Sequence, residues 1–267
     1  MRLDADVCLN SVLVVAALGS SLADLELLSL VPQLKTGGML RPLFKSNAGG
    51  SAFGVGFLSI LQGCPVGTAV IALRLSAALA CIAAIAFHRG QLLPLLIYVM
   101  AAAFLQLRKG LGNNGSDEML TLTLISVFIA RLFSTSFATN IALCFIALQL
   151  SLSYFTAGVI KLGAPLWRDG QSLTALMSTQ TFGNERLYRF LANNPQMAIL
   201  ASAAVYGGEI LVAFAPWVPS PVGLMLLGSG LVFHLLVALT MGLNTFLFAF
   251  AAAYPAALYT SNLLYSR

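Results

Sequence analysis

Charge is what this chain has least of: Asp, Glu, Lys and Arg together make up 9% of its 267 residues, where a soluble domain carries about 25%. That scarcity excludes an ordinary water-soluble globule, which would lack the polar surface to clothe itself. It also excludes disorder, because long apolar runs with few charges are the reverse of a disordered composition. Histidine is nearly missing, at two residues, and no HExxH or other zinc pattern occurs. Metal binding is therefore not expected. Phosphate-loop, dinucleotide and nucleophile-elbow fingerprints are missing as well. The four cysteines form no CxxC pair. Cys8 and Cys64 open the first two apolar stretches and would lie on opposite sides of a membrane, so no disulfide between them is expected, while Cys81 and Cys144 read as packing residues.

What remains is hydrophobic: 59% of the residues are apolar and the mean hydropathy is +0.90. The solvent this implies is a lipid bilayer. The excess of 14 basic over 9 acidic residues then belongs to membrane loops and gives no reason to expect nucleic acid.

Apolar runs bounded by charge, Gly and Pro predict an all-α polytopic membrane bundle, a single domain over residues 1–267, with about eight spans. These run from Leu9 to Leu30, Val66 to Phe87, Leu92 to Leu107, Met119 to Phe137, Ile141 to Leu162, Met197 to Trp217, Val222 to Met241 and Asn244 to Thr260. The first is read as a retained helix, since Asp4 and Asp6 do not suit a signal peptide. Between Val31 and Pro65 the chain is basic and then Gly-rich, too broken for a lipid-exposed helix. From Gly163 to Gln196 it is amphipathic, which predicts one or two helices lying along the membrane surface. With eight spans, Lys35, Arg41, Lys45, Arg108, Lys109, Arg168, Arg186 and Arg189 fall on one side, against Arg2, Arg89, Arg131 and Arg267 on the other. The positive-inside rule then places both termini outside.

An ionisable residue within a span is costly, so each is a functional candidate. Arg74, Lys161, Glu209 and His234 qualify. Tyr154, Gly158 and Lys161 share one helical face, and the glycine leaves room for a ligand between phenol and amine. Lys161 has two readings, a headgroup-seeking lysine at a helix end or a desolvated amine acting as a base. His234 lies on a face with Gly230, Ala238 and Met241, and is read either as a hydrogen-bonded structural histidine or as a reactive one. Glu209, after Gly207 and Gly208, is expected to be protonated or matched by a cation; Arg74 and Lys161 are available, and Arg74 is the partner expected in a structural ion pair, ahead of a direct contact with substrate. Within Asn113-Asn114-Gly115-Ser116-Asp117-Glu118, Ser116 or Asp117 is the expected N-cap of the fourth helix.

The run Tyr154-Phe155-Thr156-Ala157-Gly158-Val159-Ile160-Lys161-Leu162, followed by Trp167, an acidic residue and Gly170, resembles a run in the integral-membrane domain of vitamin K-dependent γ-carboxylases. It is also similar to the wider bacterial horizontally transferred transmembrane (HTTM) family. Phe233-His234 with Phe246 and Pro255, and the Gly207-Gly208-Glu209 region, add to the likeness. It covers the chain from about Asn113 onward.

The resemblance implies a bacterial inner-membrane protein in which Lys161 is the catalytic base, joined by His234, with Tyr154, Gly158, Trp167, Asn113 and Asn114 lining the substrate site. The cofactor it implies is a reduced, naphthoquinol-like quinone, deprotonated and then converted by O2 to an epoxide through a strongly basic alkoxide. In the family that alkoxide takes a γ-proton from glutamate, and CO2 adds. The family pattern Asn-Asn-His-Ser is Asn113-Asn114-Gly115-Ser116 here, without the histidine, and only a few residues follow Thr260, where the carboxylases continue into a substrate-binding region. Carboxylation of a propeptide-bearing protein is therefore not expected. The resemblance also puts the site on the non-cytoplasmic side, opposite to the loop charges. A different class of function is a non-catalytic membrane partner in the maturation, export or immunity of a small peptide. A transporter fits least, because paired broken helices and inverted repeats are missing.

Overall fold

In the computed structural model, residues 3–37, 64–109 and 115–266 are described, and all regular structure among them is helical. The helices are α1 (Ala5–Gly37), α2 (Cys64–Ala86), α3 (Leu92–Lys109), α4 (Gly115–Phe133) and α5 (Ser136–Gly163). Three short ones follow, α6 (Pro165–Arg168), α7 (Gln171–Met177) and α8 (Glu185–Asn193). The chain then returns through α9 (Pro195–Val212), α10 (Ser220–Met241), α11 (Asn244–Ala251) and α12 (Tyr254–Tyr265).

Six stretches among the described residues are long and apolar enough to cross a membrane: Ala5–Ser29, Val66–Ala86, Ser136–Gly163, Pro195–Trp217, Ser220–Met241 and Asn244–Tyr265. The chain is thus a multi-pass membrane protein by the length and composition of its helices. Leu92–Leu107 is a shorter apolar helix, and α4 opens with Asp117 and Glu118 and closes with Arg131. The last stretch is two helices end to end, parted at Ala252–Ala253 just before Pro255, as expected where a proline ring displaces the preceding turn.

Sequence-derived boundaries shift at both helix ends between α4 and α5. The span expected from Met119 to Phe137 stops at Phe133, because Ser134 takes a positive φ of 51° and Thr135 caps the next helix, its side chain accepting from the Ala138 N–H. Ser116 is not the cap of α4: it lies inside the first turn, and its hydroxyl donates to Thr245 Oγ1 on α11 at 3.2 Å.

A lipid-facing bundle turns apolar side chains outward as well as inward, and Leu93, Met100, Phe137, Ile160, Met225 and Leu239 are all well exposed. The interior is instead rich in small residues, which let helices approach closely. Ala16, Ala17, Ala78, Ala147, Ala252, Ala253, Ala256 and Ala257 are fully buried around Leu9, Leu13, Tyr98 and Leu150. α2 packs on α1 and α3, while α9 packs on α5 and α10, so these two helices belong to opposite flanks of the bundle.

The expected amphipathic excursion is α6 to α8. Its apolar side is gathered into a small separate core, Met177, Leu191 and Ala198, packed by Leu187, Tyr188 and Met241, while Arg186, Arg189 and Phe190 stay exposed. Gly170 makes the turn from α6 into α7. It has a φ of +76°, and a Cβ there would stand 2.6 Å from the Ala198 carbonyl carbon, so both conformation and space require glycine.

Candidate functional site

Seven residues of α5 separate Tyr154 from Lys161, a rise of about 10 Å at ~1.5 Å per residue. They therefore serve two clusters rather than one. At the Lys161 end, Nζ donates to both carboxylate oxygens of Glu209 on α9, at 2.8 Å to Oε1 and 2.7 Å to Oε2, and reaches the Ala157 carbonyl at 3.4 Å. The Trp167 ring, brought round by α6, lies 5.5 Å from the ammonium, within the range of a cation–π contact. The Glu209 side chain is 8% exposed and that of Lys161 21%. The carboxylate is thus enclosed, while the lysine side chain is partly exposed.

The expected pairing of Arg74 with Glu209 is corrected. Arg74 pairs with Asp24 of α1: its Nε lies 3.1 and 3.0 Å from the two carboxylate oxygens and its Nη2 2.5 Å from Oδ1. The reason is topological, since Arg74 rides on α2 and Glu209 on α9, at opposite flanks. Lys161, one of the two cations available to Glu209, holds it instead.

Gly158 is corrected as well. It does not open a ligand gap, because a Cβ there would meet Ile210 Cγ1 at 2.7 Å and the Tyr206 carbonyl oxygen at 2.8 Å. The space is filled by α9. Glycine lets α9 approach α5, and that approach carries Glu209 to Lys161.

The second cluster is a hydroxyl and imidazole chain. His234 Nε2 is 2.8 Å from Tyr154 Oη, which is 3.0 Å from Tyr254 Oη on α12. The imidazole stacks on Phe250 at 4.6 Å between centroids and, more loosely, on Phe246 at 6.3 Å. Gly230, one α10 turn before His234, makes room: a Cβ would stand 2.7 Å from Tyr254 Oη and 3.2 Å from Tyr154 Oη. His234 is 4% exposed, and its Nδ1 has no hydrogen-bond partner among the described residues. A buried ring nitrogen without a partner departs from the usual satisfaction of interior polar groups.

The structure thus joins Lys161 to Trp167, and Tyr154 to His234, and leaves the two pairs apart. Asn113 and Asn114 lie outside the described residues. Among the described residues no three His, Cys, Asp or Glu side chains group as metal ligands, and Cys8, Cys81 and Cys144 are free thiols. Two partners escaped the sequence reading. Asp24 could have been found as a carboxylate inside an apolar run, whereas nothing local marks Tyr254 as the partner of Tyr154.

No family model matches the chain, and neither a curated protein nor a solved structure matches it.

Proposed function

We propose that the protein is a bacterial inner-membrane enzyme of the HTTM type that abstracts a proton from a reduced, naphthoquinol-like substrate at the Lys161–Glu209 pair. The observation that carries this reading is the geometry of that pair. Both carboxylate oxygens converge on one ammonium, which an aromatic ring flanks and whose side chain retains 21% exposure. A carboxylate so held can receive a proton while the ammonium beside it supplies the compensating charge, so the base is the pair rather than the amine alone. The residues suit an aromatic alcohol. The Trp167 ring offers a stacking face, and the approach is from the Trp167 side, since α9 closes the Gly158 side. Reduced naphthoquinone and dioxygen would yield the epoxide and one water. In this reading the His234–Tyr154–Tyr254 chain orders the helices behind the site, and reactive roles for His234 and Tyr154 are not needed.

The chain would cross the membrane eight times, the six long spans being joined by α3 and α4. The Leu3 N–H donates to Asn262 Oδ1 at 3.0 Å, which brings the two ends of the chain to the same side, as an even number of crossings requires. On the loop charges the pair would then face the cytoplasm.

Purified protein incubated with reduced naphthoquinone in air, with products read by mass spectrometry, tests the proposal. Epoxide from the wild type but not from Lys161→Ala or Glu209→Gln of matched thermal stability supports it. Lack of epoxide in all three overturns it and favours the second reading, a non-catalytic membrane partner for a small peptide. The feature behind that alternative is α8, whose Arg186, Arg189 and Phe190 face outward from a helix lying at the end of the bundle.

A further inference from the structure

The one-turn helix α6 packs on both α5 and α9, the two helices that hold the Lys161–Glu209 pair, and it carries Trp167 between them. Its backbone is anchored at both ends. A ladder of hydrogen bonds runs along it, each to the residue three before: the Ala164 N–H donates to the Lys161 carbonyl, the Trp167 N–H to the Ala164 carbonyl and the Gly170 N–H to the Trp167 carbonyl, all at 3.1 Å. The inner end of the ladder is therefore Lys161 itself. Pro165 opens the helix, and its fixed φ leaves the chain little freedom as it departs from α5.

The outer end is Gly170, which rests on α9. A Cβ at this position would stand 2.6 Å from the Ala198 carbonyl carbon, 2.8 Å from Ala198 Cβ and 2.8 Å from the Ile199 nitrogen. Two of these atoms are backbone, so the neighbour cannot turn aside. Thr174 holds the same point from α7, its Oγ1 donating to the Gly170 carbonyl at 2.9 Å. α6 is thus a strut between the helices of the ion pair, with the Trp167 ring hung from its middle, 5.5 Å from the ammonium. Close-packed contacts transmit a displacement rather than absorb it. A side chain at position 170 would lift the outer end of the strut from α9 and carry the ring with it.

We propose that Gly170 is a positioning residue of the Lys161–Glu209 site, holding Trp167 at the ammonium through its contact with Ala198. This role rests on the site named in the proposed function, not on its reaction, and because the test uses no substrate, a lack of epoxide leaves it standing.

The chain has two tryptophans, so Trp217→Phe leaves Trp167 as the only one, and its emission in the full-length protein in detergent reports the charge beside the ring. Lys161→Met in that background sets the emission without the ammonium. Gly170→Ala, measured well below its melting temperature, should move the emission more than half of the way to that value, although Lys161 and Trp167 are both present. Ala198→Val crowds the same contact from α9 and adds no side chain at the positive φ of Gly170. It should shift the emission in the same direction, and it decides the matter if Gly170→Ala does not fold. Gly163→Ala at the end of α5, where a Cβ meets nothing within 4 Å, should leave the emission unchanged, and a shift there as large as that of Gly170→Ala overturns the proposal. Unchanged emission in folded Gly170→Ala, with only the melting temperature lowered, overturns it too, because the glycine would then only form a turn. So does emission that Lys161→Met fails to change, since the ring would then not be at the ammonium.

Discussion

The two interior ion pairs, Asp24–Arg74 and Glu209–Lys161, look alike in a list of charges and differ in nearly every physical respect. In the first, a planar guanidinium holds a fully buried carboxylate through two of its nitrogens. In the second, one ammonium takes both carboxylate oxygens and remains partly exposed. Arginine does not give up its proton in proteins, so the first pair is a fixed dipole that can bind or brace. Lysine can, so the second is the one able to move a proton. Burial alone therefore does not separate the two pairs; the kind of cation and the exposure of its side chain do.

The sharpest way to break this comparison is to remove one cation at a time. Arg74→Met removes the guanidinium from the fully buried Asp24 and should cost about 3–5 kcal/mol, the usual penalty for breaking a buried ion pair by removing one member. Thermal unfolding in detergent would read it, and combining the change with Asp24→Leu should restore most of the loss. A next step is Gly158→Ala. Its new methyl group would press on Ile210 and the Tyr206 carbonyl, a strain of about 1–3 kcal/mol, and it would push Glu209 from Lys161. Epoxide formation should therefore drop by more than the lost stability explains.

Lys161→Met should cost less than Arg74→Met, about 1 kcal/mol, because the Lys161 side chain is 21% exposed and a partly exposed pair is worth less than a buried one. A stability loss as large as that of Arg74→Met would show that the second pair is a brace like the first. At the bottom of the scale, Arg189→Ala removes a pair with Glu185 whose side chains are 73% and 66% exposed. It should shift stability by less than about 0.5 kcal/mol.

How much of this could be read from the chain varies with the range of the cause. Helix positions follow from local composition, and α2, α3 and α10 begin or end within two residues of the stretches expected from hydropathy. Helix ends are harder. The Ser134–Thr135 break has neither Gly nor Pro to announce it, only the Ser134-Thr135-Ser136 run, of which Thr135 becomes the N-cap. Gly158 shows the limit most clearly. Its smallness was legible, but whether a ligand or a helix would fill the space was not, because the answer belongs to α9, some fifty residues away.

By itself the sequence determined that the protein is helical and lives in a membrane, since 9% charge and 59% apolar residues leave no other solvent in which the backbone and side chains are both satisfied. It also marked Arg74, Lys161, Glu209 and His234, because an ionisable group in an apolar run is costly wherever the helix packs. Only the tertiary structure decided who meets whom. Arg74 found Asp24 rather than Glu209, and Tyr154 found both His234 and Tyr254. Pairing inside a bundle depends on which helices are neighbours and how each is rotated, and neither is encoded in the few residues that form the contact.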